Sequence, residues 1–249
     1  MDREIPSAAL LVVGTEVLTA KVQDENGPYA ARALREAGLW LATICTLPDQ
    51  VDAIVEAVDR ERRRRTWVFT SGGIGPTHDD VTVAAVARAL GRPLRRHADL
   101  EALIRAGHEK WSGSRDVPEE ILRMADVPEG TALAGGGFPS LRVENVVMLP
   151  GVPQFFRAQL DRFLPALVSA PFRLASLFLG VGEDRIATAL EEVARAHPDV
   201  DIGSYPRFDD TDHRVKVTLE SKDEARVRTA RAALLARLPP GAVLRSEGP

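Results

Sequence analysis

The sequence of 249 residues predicts an α/β protein with a mainly parallel sheet, followed by a smaller α+β domain. Continuous aliphatic runs indicate strands buried on both faces, as in parallel sheets. Each of the early runs is followed by a segment with helical spacing of apolar residues. After Pro171 the order changes to strand, helix, strand, strand, helix, which is typical of a small α+β domain. We therefore place a first domain at 1–168 and a second at 172–249.

Three strand-turn-helix units open the chain. The strands are predicted at 8–13, 39–46 and 67–70, and each ends at a turn rich in glycine, proline or aspartate. Successive units of this kind build a parallel sheet with right-handed crossovers. The apolar faces of the three predicted helices are Ala30, Ala33, Leu34 and Ala37; Val51, Ile54, Val55 and Val58; and Val83, Val86, Ala87 and Leu90.

The remainder of the first domain is less regular. The segment 99–126 is predicted to be helical with interruptions, and 145–149 is a further strand. Pro150-Gly151 ends that strand before a helix over 152–164. This helix has more apolar residues than one face needs, so we predict a homodimer. In the second domain we predict strands at 174–179, 200–205 and 214–220, a helix over 184–196, and a last helix with Val227, Ala230, Leu234 and Leu238 on one face.

Composition excludes several function classes. With 32 Lys and Arg against 36 Asp and Glu, the net charge is −4, which does not favour nucleic acid or anionic membrane as a partner. The single cysteine, Cys45, excludes an internal disulfide and suits a reducing compartment. No apolar run is long enough to span a bilayer, and the acidic start of the chain lacks a signal-peptide layout. We therefore expect a cytoplasmic protein.

Candidate ligand-binding residues follow the predicted strands, because ligands bind at the carboxyl ends of strands in open parallel sheets. The richest loop is 71–77, whose glycines allow the backbone to approach an anion closely. Two acids, Asp79 and Asp80, come next. An alternative interpretation is that the acids cap the following helix, but one acid alone would suffice for that. Beside a phosphate-binding loop, two acids repel phosphate unless a divalent cation lies between, so the pair predicts a metal-bridged phosphate site.

The segment from Thr70 to Thr82, TSGGIGPTHDDVT, closely resembles the hallmark of the competence/damage-inducible protein A family, which has the molybdopterin-binding fold. Shorter segments also match the family, in the same order along the chain: Gly14-x-Glu16, Asp24-x-Asn26 and Leu47-Pro48-Asp49 before this segment, and Leu149-Pro150-Gly151 after it. The resemblance therefore covers about 7–168. The segments 131–139 and 145–157 are more similar to the amino-terminal domain of eukaryotic FAD synthases. The second domain resembles the family's KH-like domain but lacks the basic Gly-x-x-Gly loop that binds nucleic acid.

The resemblance implies a metal-dependent nucleotide pyrophosphatase that splits ADP-ribose or a related dinucleotide such as FAD. We expect Asp80 and Asp49 to be catalytic, and Asp80, Asp79, Asp49 and Glu16 to hold a divalent cation, Mg²⁺, Mn²⁺ or Co²⁺, with K⁺ as a further candidate. Larger family members carry a further amidohydrolase domain, which we do not expect here. The expected substrate-binding and phosphate-binding residues are Gly14, Asn26, Ser71, Gly72, Gly73, Gly75, Pro76, Thr77, Thr82, Pro150 and Gly151.

Two alternatives stay open. The fold's molybdenum-cofactor relatives share the Gly-Gly-x-Gly and the Asp80-Val81-Thr82 patterns, so pterin binding or adenylyl transfer is a second hypothesis. A non-catalytic nucleotide-binding module is a third, because Thr15 stands where the family usually has an aspartate. In each case the expected partner is a small-molecule dinucleotide or pterin.

Overall fold

The structure, a computed structural model, describes residues 5–135, 138–207 and 212–249. The chain divides into two compact units, of which the first ends at Ser169 and the second begins at Ala170. Gly136 and Gly137, which belong to the segment similar to FAD synthases, lie outside the described residues. Among the helices of the described part, none is long and apolar enough to cross a membrane.

The first unit alternates strands and helices along most of its length. Its strands are β1 (Ser7–Val13), β2 (Trp40–Leu47), β3 (Trp67–Ser71), β4 (Leu94–Arg96), β5 (Asp126–Pro128), β6 (Ala132–Ala134), β7 (Ser140–Val143) and β8 (Val146–Leu149). Its helices are α1 (Thr15–Leu18), α2 (Asn26–Glu36), α3 (Val51–Arg62), α4 (Thr82–Ala89), α5 (Ala98–Ser112), α6 (Glu119–Leu122) and α7 (Pro153–Phe163).

The central sheet has six strands in the order β2-β1-β3-β8-β7-β6. The pairs β2/β1, β1/β3 and β3/β8 are parallel, whereas β7 and β6 add two antiparallel strands at one edge. β4 and β5 form a separate antiparallel pair. The predicted α/β fold with a mainly parallel sheet is therefore confirmed.

Helices cover both faces of this sheet, which explains why β1 is apolar at successive positions. Leu11 and Val13 pack with buried residues of α3, α4 and α5 on one face. Leu10 and Val12 pack with residues of α2 and α7 on the other. Since side chains of a strand alternate between faces, a strand in this middle layer needs apolar residues at every position. The result is a three-layer domain, with the sheet between two layers of helices.

The second unit is a four-stranded antiparallel sheet with two helices packed on one face. Val217 and Leu219 point from the sheet into a core that also contains Val227, Ala230 and Leu234 of the last helix. The sheet order is β10-β11-β9-β12. Its elements are β9 (Arg173–Leu179), α8 (Ala187–Ala196), β10 (Asp201–Pro206), β11 (Val215–Ser221), α9 (Glu224–Leu235) and β12 (Val243–Glu247).

Some predicted boundaries are wrong. The helix expected over 184–196 begins only at Ala187, after a separate single turn of 3₁₀ helix over Glu183–Arg185. The last strand, β12, was not predicted, since its residues from Val243 to Glu247 are mostly exposed and lie at a sheet edge. Edge strands with one polar face carry a weak apolar signal.

Candidate functional site

The carboxyl ends of β1, β2, β3 and β8 meet at one edge of the sheet, because these four strands are parallel. The loops that follow them line an open cavity of about 720 Å³. A cavity of this size lies within the range of about 300–1,000 Å³ that holds small organic ligands. The predicted site residues on its wall are Glu16, Asp49, Gly72, Gly73, Gly75, Asp79, Asp80, Pro150 and Gly151.

Glycine is required in the loop after β3 because the backbone there is crowded and left-handed. Gly72 has φ +99°, and a Cβ added to it would lie 2.3 Å from the Val13 carbonyl oxygen. Gly73 has φ +68°, and its added Cβ would lie 2.2 Å from the Thr82 hydroxyl. Gly151 approaches from the β8 loop, where an added Cβ would lie 3.2 Å from the Gly72 Cα. Side chains at these positions would force the two loops apart.

Internal hydrogen bonds hold this loop in place. The Gly72 N–H donates to the Leu149 carbonyl at 3.0 Å, and the Thr82 hydroxyl donates to the Gly72 carbonyl at 2.8 Å. The Thr82 N–H donates to the Gly73 carbonyl at 2.9 Å. Gly72 and Thr82 therefore use these polar groups to hold the loop, whereas we expected both residues to bind phosphate.

Three successive N–H groups remain free for a ligand. Within the described ranges, the backbone N–H groups of Gly73, Ile74 and Gly75 have no hydrogen-bond partner, and all three residues line the cavity. Successive free N–H groups in a left-handed turn form a favourable environment for an anion. The glycine loop can therefore donate several hydrogen bonds to phosphate oxygens.

Four carboxylates line the same cavity and bring negative charge to it, opposite in sign to the partial charge of the free N–H groups. Glu16 follows β1, Asp49 follows β2, and Asp79 and Asp80 follow the glycine loop. Of the described residues that line the cavity, none is a lysine or an arginine. Without a bound cation, this acidic wall repels phosphate at close range.

Asp49 and Thr15 join the first two loops. The Thr15 N–H donates to Asp49 Oδ2 at 2.8 Å, and the Asp49 N–H donates to Thr15 Oγ1 at 3.2 Å. Thr15, the departure from the family pattern, is therefore a partner of Asp49. One oxygen of the Asp49 carboxylate is engaged in this pair, and the residue still lies on the cavity wall.

The two acids before α4 do not cap that helix. The residue at the cap position is Val81, which makes no side-chain capping bond. Asp80 Oδ2 instead accepts hydrogen bonds from the N–H of Thr77, at 2.8 Å, and from its hydroxyl. The capping interpretation is therefore wrong, and the acids belong to the loop.

Asn26 is buried behind the loops and joins two of them. Its Nδ2 donates to Ser71 Oγ at 2.8 Å and to the Gly151 carbonyl at 2.7 Å. Asp24 accepts the N–H groups of Asn26 and Gly27, so the start of α2 is fixed against the loop before it. Asn26 therefore positions the cavity walls from behind.

The other predicted site residues also lie away from the main cavity. Gly14 is buried, with its N–H bonded to the Leu47 carbonyl, and Ser71 is buried beside Asn26. Pro76 and Thr77 line a second cavity of about 410 Å³. This second cavity shares Gly75 and Asp80 with the first, so the two lie on either side of the same loop.

The far wall of the main cavity is apolar, which sequence reasoning did not identify. Val152 and Phe155 come from the start of α7, and Phe138 comes from the loop before β7; these three are 49%, 55% and 42% exposed. Met124 also lines the cavity. The extra apolar residue of α7, from which we predicted a homodimer, is Phe155 of the cavity wall. The homodimer stays a prediction.

Gln159 is a further cavity residue that we did not predict. It is only 5% exposed, although the neighbouring buried positions of α7 are apolar. A polar residue on the apolar stripe of a helix was the available sequence signal.

The carboxylates suit a divalent cation only when a ligand supplies further oxygens. In the described part of the chain, no three His, Cys, Asp or Glu side chains lie close enough together to form a metal site. Mg²⁺ is commonly held by one or two carboxylates together with substrate phosphates and waters, and not by a complete protein cage. Asp80 and Asp49, on the acidic wall of a cavity whose described lining residues include no Lys or Arg, fit that kind of site.

Comparisons with known proteins match the whole described architecture. The family described as a probable molybdopterin-binding domain matches residues 9–169, and the middle domain of FAD synthase matches 171–247. A probable FAD synthase of Caenorhabditis briggsae is 27% identical over 92% of this chain and 49% of its own length. A CinA-like protein of Syntrophus aciditrophicus is 31% identical over 88% of this chain and 55% of its own. The chain thus spans about half the length of these two relatives.

Among solved structures, the protein CinA of Thermoplasma acidophilum, described as of unknown function, is 28% identical. It covers 67% of this chain and the whole of its own, with a TM-score of 0.60. The predicted likeness to both the competence/damage-inducible proteins and the FAD synthases is therefore confirmed.

Proposed function

Because this chain belongs to the family of probable molybdopterin-binding domains, with a following domain like the middle domain of FAD synthase, we propose that it is a nucleotide pyrophosphatase. Its substrate would be ADP-ribose or a related dinucleotide such as FAD. Hydrolysis of the pyrophosphate bond would give two phosphomonoesters, one of them AMP.

One observation carries the proposal: free backbone N–H groups and carboxylates line the same cavity, and none of the described residues on its wall is basic. The N–H groups of Gly73, Ile74 and Gly75 favour phosphate oxygens. The four carboxylates favour a cation. A pyrophosphate accompanied by a divalent cation satisfies both requirements, whereas either partner alone leaves one set of charges uncompensated.

The residues then take distinct roles. Gly73 and Gly75 donate backbone hydrogen bonds to the oxygens on which charge accumulates during attack on phosphorus. Asp80 and Asp49 hold the divalent cation, with Asp79 or Glu16 as additional ligands. When bound, that cation neutralises the phosphates and polarises the phosphorus for attack by water. Asn26 and Thr82 keep the loops at the required separation.

The apolar wall supports a ligand that has a flat ring as well as phosphates. Phe138, Val152 and Phe155 offer apolar surface on the cavity that also carries the acids. A dinucleotide has both parts, since its pyrophosphate joins two nucleoside-like ends. Inorganic pyrophosphate would leave this wall exposed.

The test is a product assay on the purified protein. ADP-ribose, FAD and NAD are each incubated with K⁺ and Mg²⁺, Mn²⁺ or Co²⁺, and AMP is followed by chromatography. We expect metal-dependent AMP release that stops when a chelator is added. The best substrate distinguishes an ADP-ribose enzyme from an FAD enzyme. No release from any dinucleotide by the folded protein would refute the proposal.

A second candidate, pterin binding, is favoured by the family match over residues 9–169 and by the apolar wall, which would accept a pterin ring as well as a nucleobase. Adenylyl transfer to a bound pterin would use the same loop and acids. This candidate predicts tight pterin binding without hydrolysis of dinucleotides. Calorimetry with a pterin phosphate, run beside the product assay, separates the two. A non-catalytic module would bind a nucleotide at one per chain without turnover.

A further inference from the structure

Gln159 lines the main cavity, and its side chain has a buried oxygen without a partner in the described part of the chain. The residue is only 5% exposed, and its Oε1, which solvent does not reach, has no hydrogen-bond partner among the described residues. A buried acceptor without a partner destabilises the folded protein, and such groups are rare in native structures. Gln159 lines the same cavity as the glycine loop. A bound ligand can supply the missing donor once the side-chain amide turns its oxygen toward the cavity.

The neighbours of Gln159 indicate which part of a ligand would carry that hydrogen-bond donor. Phe155 precedes Gln159 by four positions on α7, so the two side chains lie on one face of the helix, about 6 Å apart along its axis. Phe155 is 55% exposed on the cavity, and Phe138 is 42% exposed there. An exposed aromatic ring beside a lone acceptor suits a planar heterocycle, which can stack on the ring and donate at its edge.

We infer that Gln159 is a specificity residue that recognises the heterocyclic base of the ligand, accepting a hydrogen bond from a ring N–H or an exocyclic amine while Phe155 contacts the ring face. The adenine amine, the flavin imide and the pterin amine all provide such a donor. The inference rests on the proposed function only in placing a phosphate-bearing ligand of this kind in the cavity. The acids and the glycine loop would bind its phosphates, and α7 would bind its base.

The experiment compares ligands that differ in the ring. Binding of AMP, FMN and neopterin phosphate is measured by calorimetry with Mg²⁺ present, beside ribose 5-phosphate, which has a phosphate but no heterocycle. The test variants are Gln159→Met, which is close to glutamine in shape, and Gln159→Leu. The matched control is Gln154→Leu, because Gln154 lies on the same helix, is exposed and is not on the cavity wall.

We expect the wild type to bind at least one ring-bearing ligand more tightly than ribose 5-phosphate. Both Gln159 variants should weaken that ligand about tenfold, the loss expected for one buried hydrogen bond, and leave ribose 5-phosphate unchanged. Gln154→Leu should change neither ligand. The melting temperatures of the Gln159 variants should equal or exceed that of the wild type, because an unpaired buried oxygen has been removed.

Three results would overturn the inference: a wild type without preference for ring-bearing ligands, Gln159 variants that bind them as tightly as wild type, or variants that lose ribose 5-phosphate equally. The outcome is independent of turnover. Gln159-dependent binding without AMP release would refute the pyrophosphatase proposal alone, and AMP release with Gln159-independent binding would refute this inference alone. The ligand that shows the loss identifies the base.

Discussion

Replacing Asn26 by alanine should damage both stability and ligand binding, because its side chain ties two loops of the cavity together. The change removes hydrogen bonds of 2.8 Å to Ser71 Oγ and 2.7 Å to the Gly151 carbonyl. Each lost bond costs about 1 kcal/mol, and the acceptors left buried add to that, so we expect a loss of about 2–4 kcal/mol in the free energy of unfolding. Urea denaturation measures this loss as a shift in midpoint at unchanged slope.

The chain provides a matched control at the opposite end of the sheet. Asn145 precedes β8 and donates from its Nδ2 to the carbonyls of Arg62 and Arg65, at 2.9 and 3.0 Å. Asn145 is only half-buried, so water can replace part of what is lost, and Asn145→Ala should cost about 1–2 kcal/mol. It should leave binding of ADP-ribose within about twofold, whereas Asn26→Ala should weaken it by about tenfold or more. Equal effects of the two variants on binding would refute the positioning role of Asn26.

Two further predictions concern stability. Gly72→Ala should lower the free energy of unfolding by about 3 kcal/mol or more, because the positive φ alone costs about 1–2 kcal/mol and the added Cβ collides with a β1 carbonyl. The control Gly91→Ala, with φ +62° and open space around the added Cβ, should cost only about 1–2 kcal/mol. Equal urea midpoints for the two variants would contradict this prediction. Burial raises the pKa of the Glu61 carboxyl, but hydrogen bonds from Arg60 and Arg65 outweigh it and leave the pKa lowered. Glu61 therefore stabilises the fold above the unfolded pKa of about 4.3, and this contribution is lost as the pH falls through the lower folded value. Glu61→Gln should be less stable than wild type by about 1–3 kcal/mol at pH 7, and thermal unfolding below pH 4 should show that difference shrinking.

The sequence was most informative where structure repeats regularly. β1 could be predicted because a strand covered on both faces needs apolar residues at every position, and 8–13 meet that requirement. The short strands from β4 to β7 could not be predicted, because three or four residues are too few to show alternation. β4 also pairs with β5, some thirty residues further along the chain, and such pairing depends on tertiary contacts.

The site shows the same division. Asp49, Asp80 and the glycine loop could be placed at one edge because the ends of parallel strands meet there. The partner of each polar group could not be predicted: Thr82 bonds to the loop backbone, and Thr77 bonds to Asp80. Residue types do not distinguish a side chain that contacts a ligand from one that holds the loop, since both roles use short polar groups.

The most direct test of the account is the effect of Asp80→Asn on AMP release from the best dinucleotide. Asparagine keeps the size of the side chain and an oxygen that can accept from Thr77, but it removes the charge that would hold a divalent cation. The account predicts a loss of turnover of about 100-fold or more with little change in melting temperature. Asp59→Asn, on the exposed end of α3, should keep full activity. The assay is run where wild-type AMP release depends on the added divalent cation. A turnover of Asp80→Asn within about threefold of the wild-type value would then contradict the central claim.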